Sequence, residues 1–252
     1  MRTWLLTAAL LVSAGPGAWA ATIPPFPVSS DATADKPQSK CWYHDGWWAI
    51  LSDGVHGARF YRLDEDSAWQ ACDSPDAVVS PDISARVDVS AVAGGRSVLG
   101  WSLTVLAWTE SALTARVYHR KPGAVMYRAI PHRTVTIDVP AGHETATIAW
   151  RPRLNMVTAV VAGEVLVAEV GLPRPTVLAS GLSADDISAI AAFPAPRVGL
   201  LPDDERVGVF WSDQNTQSLG FRWRTGADPH RQWRPPEVVA QGGHVADDHI
   251  NM

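Results

Sequence analysis

An all-β fold is what this chain predicts, and three observations predict it. Short segments rich in β-branched and aromatic residues recur along the sequence: "ARFYRL", "TARVYHR", "TVTIDV", "EVLVAEV", "VGVFW" and "GFRWR". Most alternate apolar with polar residues, which suits a pleated strand with two distinct faces. Gly, Pro or Asp punctuates them, and no long segment carries a helical apolar period.

The chain opens on what reads as a signal peptide over residues 1–20. Arg2 supplies a positive start, "WLLTAALLV" an apolar run, and Ala18-Trp19-Ala20 a small-residue cleavage site. The apolar run is far shorter than the roughly 20 residues that span a bilayer. The later "MVTAVVAGEVLVAEV" is interrupted by Glu164 and Glu169. The expected location is therefore secreted or periplasmic, with no membrane span after cleavage. Residues 21–38, rich in Pro, Ser, Thr and Ala, read as a flexible leader. The folded domain is expected over 39–252.

"WYHDGWWAIL" carries a hairpin signal, because Asp45-Gly46 suits a tight type I′ turn between aromatic-rich strands. "WWAILSD…GARFYRLDEDSAW" (Trp47 to Trp69) is echoed by "GVFWSDQ…LGFRWRTGADPHRQW" (Gly208 to Trp233). The echo aligns Ser52-Asp53 with Ser212-Asp213 and Trp69 with Trp233. Two weaker units lie between. Each unit starts with a polar run, its doorway, before an apolar strand. Doorway markers at Ser39, Arg86, Glu144, Asp186 and Asp248 are spaced by 47, 58, 42 and 62 residues. Periods of that size with about four strands each are the signature of a β-propeller. The expected blades are 39–80, 83–140, 142–180 and 184–241, with 246–252 as the start of a fifth. "ADDHI" (Ala246 to Ile250) repeats "ADDIS" (Ala184 to Ser188), so the expectation is an incomplete ring on a truncated chain.

"DKPQSKCWYHDGWWAILSD", "ETATIA", "ADDIS…RVGVFWSDQ" and "ADDHIN" resemble secreted bacterial proteins of the sialidase-like, BNR/Asp-box β-propeller family. That resemblance implies a propeller fold more firmly than an activity. Asp64, Asp66, Ser67 and Trp69 in "LDEDSAW" depart from the S-x-D-x-G-x-T-W Asp-box. "DDHIN" also resembles the "DDHN" segment of propeller polysaccharide lyases, which implies a catalytic part for His249.

The first strand of a propeller blade lines the central channel, so all doorways should point to one channel mouth. Candidate ligand-binding residues there are Lys40, Arg86, Asp88, His143, Asp185 and Asp247. Candidate catalytic residues are Glu144, Asp186, Asp248 and His249. Paired carboxyls can do glycosidic acid/base work, a histidine can abstract a proton beside an acidic sugar's carboxylate, and hard oxygens can hold Ca²⁺. No other cofactor is implied, and no dedicated metal site is expected. Recurrent Asp and Ser at strand starts also have a plain structural use, because their side chains satisfy local turns. Aromatics such as Trp42, Trp47, Trp48, Trp211, Trp223 and Trp233 suit either sugar stacking or blade-to-blade core.

Lys plus Arg (21) fall below Asp plus Glu (26), and no basic run exists, which argues against a nucleic-acid partner. No G-x-S-x-G, P-loop, H-E-x-x-H or C-x-x-C motif is present. Cys41 and Cys72 are the only cysteines, and their pairing in an oxidising compartment is left open. The expected function is an exported module that binds glycan or another extracellular polymer at the channel mouth. The alternatives are a glycoside hydrolase or polysaccharide lyase using the doorway carboxylates, and an inactive truncated relic.

Overall fold

Alternating sequence patterns become strands here, and among the described residues the strands gather into four consecutive antiparallel sheets. The computed structural model describes residues 40–52, 54–66, 68–91, 100–139, 146–151, 154–170, 172, 174–194, 205–225 and 232–246. The signal peptide, the leader, His143, Glu144, Asp247, Asp248 and His249 lie outside the described residues.

Blade 1 contains β1 (Cys41–Tyr43), β2 (Trp47–Ser52), β3 (Ala58–Leu63) and β4 (Trp69–Ala71) in that spatial order. A single 3₁₀ turn at Pro75–Ala77 breaks the outer strand, and β5 (Val78–Ser80) resumes the pairing on β3. Blade 2 is β6 (Arg86–Ala91), β7 (Trp101–Trp108), β8 (Ala112–Arg120) and β9 (Arg128–Asp138). Blade 3 is β10 (Ala146–Arg151), β11 (Leu154–Val161), β12 (Glu164–Glu169) and β13 (Thr176–Ser180). Blade 4 is β14 (Ser188–Pro194), β15 (Glu205–Asp213), β16 (Ser218–Thr225) and β17 (Glu237–Gln241). Each blade is a simple meander, and the first strands of blades 2, 3 and 4 pack beside one another. This is an all-β, β-propeller fold with four-stranded blades.

The period-2 alternation of each strand explains the packing, since one face of a blade meets the blade before it and the other the blade after. Trp42, Trp48, Ile50 and Phe60 of blade 1 pack with Val87, Val89, Leu103 and Val105 of blade 2. Leu106, Trp108, Leu113 and Ile137 on the other face of blade 2 meet Ile148, Val157 and Ala159 of blade 3. Val160, Val165 and Val167 of blade 3 meet Val207, Val209 and Trp211 of blade 4. Gly220 lies opposite Trp211 on β16, where any Cβ would collide with the indole. Only glycine lets that ring lie flat on the neighbouring strand.

The Asp45-Gly46 hairpin forms, with both residues at positive φ (56° and 119°), as a primed turn requires. It differs from the expected two-residue turn, because three residues separate the pair Tyr43↔Trp47.

The Cys41–Cys72 pairing is not made, and both thiols are free. Register explains why. Cys41 pairs with Ala49, Ala49 with Tyr61, and Tyr61 with Ala71, which neighbours Cys72. The two cysteines thus sit about three strand spacings apart, roughly 14 Å, whereas a disulfide needs Cα atoms within about 7 Å. Burial pushes the Cys72 thiol up to about 11.

Candidate functional site

The strands that begin each blade set the doorway end. Lys40 immediately precedes β1, and its carbonyl accepts the Ile50 amide at 3.0 Å, which fixes the backbone. Arg86 and Asp88 lie on the first strand of blade 2, on the same face two residues apart. Burial holds the Lys40 ammonium below the ordinary lysine range, the charges of Asp88 and the Cys41 thiol act against that, and Arg86 reinforces it. Lys40, Arg86 and Asp88 therefore form one electrostatic cluster across blades 1 and 2.

Within it Asp88 is buried and heavily engaged. Its Oδ1 accepts the Val89 amide at 3.0 Å, and its Oδ2 accepts the Ile148 amide of blade 3 at 2.9 Å. One carboxylate thus straps blade 2 to blade 3 while lying in the field of Lys40.

Asp186 has a different environment. It is buried, and its Oδ2 accepts the Ser183 amide at 2.7 Å. Its Oδ1 accepts the Ser212 hydroxyl at 2.9 Å and the Gln214 amide at 3.0 Å. The Ser212 hydroxyl in turn accepts the Ile187 amide at 3.0 Å. Three donors on one carboxylate are the pattern of a turn clamp that anchors the start of β14 to the end of β15. Asp185 is exposed beside it. The aligned Ser52 does comparable work, donating to the Ile83 carbonyl at 2.8 Å. The aligned serines are thus loop anchors, and Asp64 is similar, accepting the Ala68 amide at 2.7 Å.

A second cluster, at the hairpin end between blades 1 and 2, was not anticipated from the sequence. Arg120 is almost wholly buried at the end of β8. Its guanidinium lies 4.2 Å from the Trp101 ring centre and 5.3 Å from that of Trp48. It donates to the carbonyls of His44 at 2.6 Å and Ala124 at 2.9 Å, and lies 3.6 Å from the Asp45 carboxylate. The Tyr127 hydroxyl accepts the Trp42 indole N–H at 3.2 Å and sits 2.6 Å from His44 Nδ1. Burial pushes the Tyr127 hydroxyl up to about 12, so it remains a proton donor. The same hydroxyl thus joins the Trp42 indole and the His44 ring in one buried hydrogen-bonded chain. The hydrogen bonds from this cluster to Trp42 and His44 join residues 76 to 85 apart, so no local pattern announces them. The available signal was chemical: Arg120 and Tyr127 flank a turn beside apolar strand residues that call for burial.

Among the described residues, no three His, Cys, Asp or Glu side chains come together to hold a metal ion. No helix among them is long and apolar enough to cross a membrane.

Serial four-stranded meanders with polar first-strand doorways define the class, a β-propeller. No family model and no curated protein matches the sequence. Among solved structures the chain is similar to AofleA from Arthrobotrys oligospora, at 10% identity and a TM-score of 0.47, covering 79% of this chain and 55% of that one. It is also similar to a fructofuranosidase from Schwanniomyces occidentalis complexed with fructosylnystose, at 11% identity and a TM-score of 0.36, covering 79% of this chain and 45% of that one. The chain thus spans about half the length of the structures it matches.

Proposed function

We propose that this chain is an exported propeller module, secreted or periplasmic after signal removal, that binds a glycan at the doorway end. The observation that carries the reading is the grouping of Lys40, Arg86 and Asp88 at the first strands of blades 1 and 2. A half-buried ammonium and guanidinium, beside a carboxylate that is itself tied to two backbone amides, suit a ligand that brings negative charge. A uronate-bearing or sulfated sugar fits that need. The sialidase-like, BNR assignment belongs to this proposal and rests on the sequence resemblance alone.

The enzymatic alternative gains no support from the one described catalytic candidate, because Asp186 spends its oxygens on three loop donors. A glycan array and a polysaccharide-degradation screen on the chain lacking residues 1–20 test both readings. The binding reading expects retention of acidic glycans that is lost in Lys40→Ala and Arg86→Ala, with no shortening of the polymer. Polymer shortening would favour the enzyme, and retention indifferent to both substitutions would sink the doorway site.

A further inference from the structure

The arginines that lie over tryptophan rings fall into two kinds. Arg62, over Trp48 at 5.3 Å, also donates to the Asp45 carbonyl at 3.4 Å. Arg120 donates to the carbonyls of His44 and Ala124. Arg224, over Trp233 at 5.7 Å, reaches the Glu169 carboxylate at 3.1 Å. Arg206 and Arg234 differ. Both lie over Trp223, at 4.9 Å and 5.3 Å, and neither guanidinium has an oxygen acceptor among the described residues. The Arg206 Nε is buried and unpartnered.

The fold brings this pair to one indole from two sides. Arg206 comes from β15, and Trp223 on β16 stands opposite Gly208, which offers it no side chain. Arg234 comes from the other flank. Its amide donates to the Trp223 carbonyl at 2.9 Å, and its own carbonyl accepts the Arg222 Nε at 2.8 Å. That backbone is fixed while the Arg234 side chain stays exposed. Phe221 lies two residues from Trp223 on the same face, about 7 Å along the strand. It stacks on Phe210 at 4.3 Å, and both rings are half-buried. Glu237 is exposed opposite Phe221, and among the described residues no ion pair joins it to either arginine. Two guanidiniums with unmet donors on one ring call for an anion with several oxygens.

We propose that Arg206 and Arg234 bind a phosphate monoester beside Trp223, with the ester's apolar body on Phe221 and Phe210. Two guanidiniums match two negative charges. A phosphate monoester carries nearly two at neutral pH, because its second ionisation lies near pH 6. A sulfate ester or a carboxylate carries one. The site stands apart from the doorway and does not rest on the glycan reading: Arg206 lies near the start of β15, whereas Ser212, which anchors the doorway of blade 4, lies near its end. Strands β15, β16 and β17 carry no histidine, so a pH effect near pH 6 belongs to the ligand.

Calorimetric titration of the chain lacking residues 1–20 tests this, with phenyl phosphate, phenyl sulfate and inorganic phosphate as probes. Phenyl phosphate should bind one to one and tighten several-fold from about pH 5.5 to about pH 7.5. Phenyl sulfate and inorganic phosphate should each bind at least about tenfold more weakly at the higher pH. Arg206→Ala and Arg234→Ala should each weaken phenyl phosphate by at least about tenfold, and Glu237→Gln should strengthen it. Arg234 is exposed, so Arg234→Gln supplies the comparison should Arg206→Ala fail to fold. Lys40→Ala and Arg86→Ala should leave phenyl phosphate binding unchanged. A wild type that binds no phenyl phosphate overturns the proposal. Equal affinity for phenyl sulfate, or a flat pH dependence, overturns it too. Binding lost in Lys40→Ala but kept in Arg206→Ala and Arg234→Ala would move the anion to the doorway and overturn this site alone.

Discussion

The Asp88 carboxylate of blade 2 accepts the Ile148 amide of blade 3 at 2.9 Å, across 60 residues of chain. It is one side chain with two duties: it holds neighbouring blades together and sets the field around Lys40. Replacing Asp88 by alanine leaves a buried amide without an acceptor, which costs about 1–3 kcal/mol. Urea unfolding should show that loss for Asp88→Ala and a smaller one for Asp88→Asn, whose amide oxygen still accepts.

Asp186 should behave as a clamp. Asp186→Ala strands the Ser183 amide, the Ser212 hydroxyl and the Gln214 amide together. We expect a loss on the order of 3 kcal/mol, read as a lower melting transition. Ligand affinity measured well below that transition should stay at the wild-type value. A tenfold loss of binding with unchanged stability would instead assign Asp186 to the ligand site.

The Tyr127 hydroxyl predicts an alkaline limb in stability. Its folded value is raised to about 12, so the folded protein keeps a proton that the unfolded chain releases near the ordinary tyrosine value. Stability from this source is complete below the ordinary value and is lost as pH rises through about 12. Tyr127→Phe should flatten that limb in a pH series of thermal melts. At neutral pH it should cost about 1–3 kcal/mol, because the Trp42 N–H and His44 Nδ1 lose their partner.

Arg120 should not tolerate lysine. A planar guanidinium stacks on Trp101 and reaches two carbonyls at once, and an ammonium cannot do both. Arg120→Lys should lower stability by about 2 kcal/mol or more, measured by denaturant unfolding.

The sequence revealed what is local or repeated. Alternation located the strands from Ala58 to Leu63 and from Ser218 to Thr225, and Asp45-Gly46 located the hairpin. The shared Ser52 and Ser212 marked equivalent points in two blades, and both prove to be loop anchors. The doorway pattern put Lys40, Arg86 and Asp88 forward as ligand residues, and the three lie within one another's electrostatic reach. It also proposed a catalytic role for Asp186, whose carboxylate accepts from Ser183, Ser212 and Gln214. Register and sheet order were beyond it, which is why a Cys41–Cys72 bridge stayed open until the strands were seen to separate the two. The Arg120–Tyr127 cluster was hidden for the same reason, since its contacts form only when two blades stack.

The central claim is that the doorway cluster binds an anionic glycan, and the pH dependence of binding tests it most directly. Lys40 is charged only below its lowered value, so affinity for an acidic oligosaccharide should fall as pH rises toward the ordinary lysine range. Calorimetric titration with an acidic oligosaccharide from the array across that range, on the wild type and on Lys40→Arg, should show the fall in the wild type only, since an arginine stays charged. Affinity that is flat in the wild type, or that falls equally in both proteins, would contradict the account.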